Sequence, residues 1–338
     1  MSTKSAPSAP PSASSRRFCV LFPGALGDFI CCLPALHALA QEGEVDVFAR
    51  GEFAAIASEG LTVHSLERPE IAKLFTPRGA ADEQVRRLFL AYAAVYSWMG
   101  SEQEEFVSQL RAASVQPVRI FPFRAADPRR HQSEYYFSCL HGDRTRTPEP
   151  RIISSGQMNP WLDQFRAHHG LVERPLMVIA PGSGAREKNW PADRFAVVAD
   201  WWRDRINGAV VLLIGPVEEE WGLSPSLQNA GAMARRLDLA QSAALLAAAD
   251  LYLGNDSGIT HLAAATGIRT VALFGPSSRR QWAPRGPRVT LIARNEPCAP
   301  CTVAEMKGCA HRRCLGEINA ESVIGALARL PEVATLTR

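Results

Sequence analysis

The stretch LYLGNDSGITHLAAATGIRTVALFGP, residues 251–276, holds two short apolar runs separated by a turn and an alanine-rich segment. Residues 251–253 and 270–274 read as buried strands, since each is a continuous apolar run bounded by turn residues. Between them Asp256, Ser257 and Gly258 make a strand-to-helix turn, and His261 follows about one helical turn later. Strand, glycine-bearing turn, helix and strand again is the unit of a parallel sheet with helices on its faces. Such sheets bind ligands outside the carboxyl ends of their strands, which is where this turn falls.

The same unit recurs upstream and downstream. Residues 18–22 read as a strand ending at Pro23-Gly24, and residues 29–40 as a helix despite Pro34. Strands follow at 45–48, 93–98 and 118–121. Residues 145–160 are rich in Pro, Ser, Thr and Arg and read as a linker. Beyond it, 176–180 and 209–214 are strands, with a helix from Pro191 to about Arg205 between them. A helix over 242–249, with Asp238 upstream as its cap, and a last strand at 289–292 complete the series. These signals predict an α/β chain of two Rossmann-like, doubly wound domains facing a cleft. A disordered tail is expected over 1–15, one domain over 16–160 and a second over 161–338. A length of 338 residues suits two such cores.

Composition narrows the function. An apolar share of 46% and a charged share of 21% are those of a globular protein, and a net charge of +3 gives no argument for nucleic acid. Residues 18–40 are broken by Pro23, Asp28 and Pro34, and 88–100 falls short of the roughly 20 apolar residues of a membrane span. Residues 2–15 are almost wholly Ser, Ala and Pro and lack the apolar centre of a signal peptide, so a cytoplasmic protein is expected. Cys19, Cys31, Cys32 and Cys139 sit in apolar or mixed segments, as buried free thiols do. The other four cysteines, Cys298-x2-Cys301-x7-Cys309-x4-Cys314, have the spacing of a tetrahedral zinc or iron site. That structural site, or reduced thiols in its place, is expected away from the chemistry.

Three turns carry chemistry. In Pro23-Gly-Ala-Leu-Gly-Asp28, Gly24 and Gly27 allow close backbone approach, and Asp28 is either a helix cap or a carboxylate base. In Ala180-Pro-Gly-Ser-Gly-Ala-Arg-Glu-Lys-Asn-Trp-Pro191, backbone amides, Ser183 and Lys188 suit a diphosphate. The third turn is Asp256-Ser-Gly258, with His261 near enough to touch the same anion. Arg124, Arg129, Arg130 and His131 gather in a basic loop, either solvated or facing acidic sugars and phosphates.

With these motifs in hand, the chain resembles the heptosyltransferases of glycosyltransferase family 9 over nearly all of residues 18–325. The matching pieces are GALGD with the following CLPAL, PGSGAREKNWP, IGPVEEE, and NDSGITHLAAA with TVALFGP. The resemblance implies the GT-B fold and an inverting transfer of heptose from ADP-heptose to a lipopolysaccharide core or related anionic glycan. Asp28 would be the general base and Lys188 the lysine at the donor phosphates. Ser183, Asp256, Ser257, Gly258 and His261 would surround the diphosphate and sugar. Glu218 would hold the ribose, with Glu219 in its place if the loop register differs, and Leu237 would line the adenine pocket. Gly24, Gly27, Arg124, Arg129 and Arg130 would lie on the acceptor side. No cofactor is implied for the chemistry, and the family's setting adds peripheral contact with the inner membrane. Three alternatives stay open: another nucleotide sugar or a protein acceptor, a nucleotide-binding protein without turnover, and an oxidoreductase. The absence of G-x-G-x-x-G disfavours the last.

Overall fold

Strands buried on both faces are continuous apolar runs, and the central strands of this chain are of that kind. In this computed structural model, residues 16–143, 146–152 and 159–336 are described. The expected tail and most of the expected linker's second half lie outside them.

The strands β1 (Arg17–Leu21), β2 (Glu44–Ala49), β3 (Leu61–Ser65), β4 (Ala94–Ser97) and β5 (Val118–Ile120) form one sheet in the order β3-β2-β1-β4-β5. The strands β6 (Leu176–Ala180), β7 (Ala209–Ile214), β8 (Ala232–Arg235), β9 (Leu251–Asn255), β10 (Arg269–Phe274) and β11 (Val289–Ala293) form a second, ordered β11-β10-β9-β6-β7-β8. Every pairing in both sheets is parallel. The strand order reverses between β1 and β4, and again between β6 and β9. A crevice opens at each such reversal. The three turns singled out from the sequence follow β1, β6 and β9, so the connectivity alone delivers them to those crevices.

The two halves share a core. The helix Leu26–Ala40 packs against the helix Gly258–Thr266, and Phe22, Phe29 and Leu33 join Val178, Tyr252 and Leu262 in one buried cluster. The outer face of the second sheet is closed by Trp190, Phe195 and Trp202 with Val323 and Leu327 of the helix Ala320–Ala328. The outer face of the first sheet is closed by Phe48, Val85, Phe89 and Phe106. Among the described residues no helix is long and apolar enough to cross a membrane.

Candidate functional site

Asp28 is the third residue of the helix Leu26–Ala40 and is nearly buried. Its Oδ2 accepts a hydrogen bond from the Ala25 amide at 3.1 Å, and its Oδ1 accepts one from Arg124. The carboxylate is therefore a cap and an ion-pair partner together. The Arg124 guanidinium lies between two aromatic faces, 4.4 Å from Phe123 and 4.5 Å from Trp282, which belong to different halves of the chain. Gly24 is needed for a local reason: a Cβ there would lie 2.4 Å from a Phe22 ring carbon and 2.7 Å from the Cβ of Asp28.

Lys188 ends the short 3-10 turn Arg186–Lys188, and its Nζ donates to Asp256 Oδ2 at 2.8 Å. Asp256 is buried while Lys188 keeps about 30% of its side chain exposed. The cation is anchored on one side by a carboxylate and open on the other. The Ser183 hydroxyl stands 2.7 Å from Asn189 Oδ1 and 2.8 Å from the Ala185 carbonyl, so its single proton serves the loop itself. Ser183 thus shapes the loop, and Gly184 and Ala185 are the residues that face the cavity described next.

The start of the helix Gly258–Thr266 abuts the start of the helix Leu26–Ala40. A Cβ on Gly258 would meet the Leu26 Cβ at 3.0 Å and the Gly27 amide at 3.1 Å. A Cβ on Gly27 would meet the His261 ring at 3.3 Å. The absence of side chains at Gly27 and Gly258 lets one half of the molecule approach the other, in addition to clearing space for a ligand. His261 is buried, with Nδ1 3.8 Å from Cys31 Sγ of the other half. Burial holds its pKa below the usual histidine value, partly offset by Asp256 and Asp28.

These residues enclose a cavity of about 620 Å³. Gly27, Asp28 and Arg124 form its wall from the first half, and Lys188, Asp256, Ser257, Gly258 and His261 form it from the second. Ser183, Gly24, Glu218, Leu237, Arg129 and Arg130 are not among its walls. Glu218 instead accepts from the Gly215 amide at 2.9 Å and caps the helix Pro216–Trp221. Its carboxyl is held above the usual carboxylate range by burial. The carboxylate sits against the backbone of residue 182 because that residue is glycine, where a Cβ would fall 1.7 Å from Glu218 Oε1. Glu219 is tied to Arg236 on the surface, and Leu237 packs at the edge of the shared core. Arg129 pairs with Asp127 and Arg130 with Asp143. The basic loop is thus split, with only Arg124 reaching this cavity.

The cysteine cluster departs from expectation twice. Cys301 lines the same cavity as Asp28 and Lys188, so the cluster is beside the candidate site and not away from it. Its thiols also make no cage: the Cys301 thiol donates to the Cys298 carbonyl at 3.3 Å, and Cys309 Sγ accepts from the Arg312 amide at 3.4 Å. Cys314 is buried, and burial followed by the three neighbouring thiols raises its pKa. Among the described residues no three His, Cys, Asp or Glu side chains are grouped to hold a metal ion. The zinc or iron fit is therefore absent. Cys19, Cys31, Cys32 and Cys139 are free and buried.

Ser277, Ser278, Gln281 and Trp282 also wall the cavity, and sequence reasoning passed over them. The available signal was their position directly after the β10 strand, at the carboxyl edge where ligands bind.

Residues 141–310, half of the chain, match the family described as glycosyltransferase family 9 (heptosyltransferase). Lipopolysaccharide heptosyltransferase 1 of Pseudomonas aeruginosa is 33% identical over 130 residues, which is 38% of this chain. The match spans only 36% of that relative's length. A glycosyl transferase family 9 structure from Veillonella parvula superposes with a TM-score of 0.73 at 21% identity, covering 95% of this chain and 97% of that one. The structure of the Escherichia coli ADP-heptose lps heptosyltransferase II superposes with a TM-score of 0.68 at 18% identity, covering 95% and 98%. The fold shared with these structures is GT-B, two doubly wound domains facing a cleft.

Proposed function

This chain belongs to glycosyltransferase family 9, and on that premise we propose that it transfers a heptose from ADP-heptose to a lipopolysaccharide core or related anionic glycan. The observation that carries the proposal is that Asp28 and Lys188, from opposite halves, line one cavity. A glycosyl donor loses its diphosphate only if the charge arriving on the departing oxygen is stabilised. Lys188 and the amides opening the helix Gly258–Thr266 supply that stabilisation. The acceptor hydroxyl becomes a competent nucleophile as Asp28 takes its proton. Its oxygen then bonds the anomeric carbon as the bond to the diphosphate breaks on the opposite side, so the anomeric centre inverts.

In this reading residues 16–160 hold the acceptor and 161–338 the donor, with Glu218 and Leu237 at the nucleoside end. Catalysis takes place at the cytoplasmic face of the inner membrane, where a lipid-linked acceptor is presented. A binding protein without turnover needs no base, and the placing of Asp28 in the wall of the cavity that Lys188 also lines favours the enzyme reading. Calorimetric titration with ADP, UDP and NAD is the first check. ADP bound more tightly than the other two is expected; a preference for UDP would move the proposal to another nucleotide sugar, and for NAD would end it.

A further inference from the structure

A second cavity, of about 470 Å³, opens beyond the carboxyl ends of β10 and β11. It shares Pro128, Ser277, Ser278 and Pro300 with the cavity that holds Asp28 and Lys188. Four arginines line it: Arg129 from the first half of the chain and Arg279, Arg280 and Arg294 from the second. Glu296 is the single carboxylate in its walls.

The charges do not cancel. Arg129 is matched by Asp127, and Arg294 by Glu296 and Glu317. Arg279 donates to the neutral amide of Asn295, and among the described residues neither it nor Arg280 has a carboxylate in ion-pair reach. Two positive charges are thus left facing a cavity at the ligand-binding edge of the sheet. A surface whose arginines merely solvate the fold needs no concavity. This one is concave, joined to the candidate site, and completed by a residue from across the cleft.

We propose that this second cavity binds an anionic substituent of the acceptor, a phosphate or carboxylate carried on its glycan. The proposal rests on the functional reading above, in which the nucleotide sugar fills the first cavity. Guanidinium groups meet both anions with paired N–H donors, so the shared chemistry is that of a planar fork against two oxygens. The shared wall at Ser277 and Ser278 sets this group beside the reacting end, and Arg129 makes the second domain's pocket sensitive to the first domain's position. The acceptor is then gripped by both halves, and acceptors lacking the anion are selected against.

The test uses the full chain saturated with ADP and titrated calorimetrically with inorganic phosphate and, separately, with glucuronate. At least one anion should bind without displacing ADP. The Arg279→Gln/Arg280→Gln variant should lose about tenfold or more of that affinity, with ADP affinity and thermal midpoint unchanged. Phosphate alone binding identifies a phosphorylated acceptor, and glucuronate alone an acidic sugar. Anion affinity equal in wild type and variant, or anion and ADP competing, would overturn the proposal. A chain that fails to bind ADP would sink the functional reading instead, and the same anion titration without nucleotide would still read the subsite directly.

Discussion

At the scale of single residues, Asp28 and Lys188 are each held by a partner of opposite charge, and this sets what their removal should do. Asp28→Asn keeps an acceptor oxygen for the Ala25 amide and loses the base. Turnover should fall by about 10² or more with nucleotide affinity retained, the usual scale of general base catalysis. Turnover near wild type would return Asp28 to capping alone. Lys188→Ala should weaken ADP by roughly one to two decades, the worth of a charged hydrogen bond, while adenosine is weakened little. Equal weakening of both would mean that the loop, and not the charge, had been lost. The sequence pointed to both residues because each follows a glycine-bearing turn after a strand, where ligands bind, although a helix cap and a solvated lysine were equally open readings there. It did not reveal that the Ser183 hydroxyl is held within its own loop between Asn189 and Ala185, or that His261 is buried. Such facts depend on what packs against a residue, and those neighbours lie far away in the chain.

Between elements, the contact of the helices Leu26–Ala40 and Gly258–Thr266 depends on two glycines. Gly258→Ala would set a methyl 3.0 Å from the Leu26 Cβ and 3.1 Å from the Gly27 amide, and with the two helices held in place by their shared core this overpacking costs about 1–3 kcal/mol. Urea unfolding should report the loss, and a variant as stable as wild type would show that the helices can part freely. A second contact joins the halves through His131, which caps the helix Gln132–His141 through Nδ1 and donates from Nε2 to the Ala283 carbonyl at 2.8 Å. Burial, with Arg285 nearby, lowers its pKa to about 4. A histidine neutral in the fold and protonated when unfolded contributes stability that is complete above about pH 6.5 and lost as the pH falls towards 4. His131→Asn keeps a capping oxygen and removes the titration. Wild type should therefore lose more stability than this variant between pH 7.5 and 4.5, and equal losses would contradict the assignment. The strands that sequence reading missed, β3 and β8, lie at sheet edges, where partial exposure breaks up the apolar run that marks an inner strand.

Across the whole molecule, two doubly wound sheets were readable because nine of the strands show as short apolar stretches, two of them broken by Asp46 or Arg119, and the turns between them carry glycine, proline or a cap. The cleft followed from the topology, since the turns after β1, β6 and β9 sit where strand order reverses. What stayed hidden was the arrangement across the cleft: Trp282 against Arg124, Cys301 in the cavity wall, and four cysteines that are neighbours without forming a cage. These are contacts between segments over a hundred residues apart, or details of side-chain direction, and spacing along the chain encodes neither. The central claim is that this cleft transfers heptose from ADP-heptose. The most direct measurement incubates the purified chain with ADP-heptose and a set of lipopolysaccharide-core acceptors lacking heptose, and follows both products by mass spectrometry. The account predicts an acceptor gaining one heptosyl residue, with ADP released in equal amount; no heptosylated acceptor from intact ADP-heptose, with transfer from a UDP-sugar instead, would contradict it.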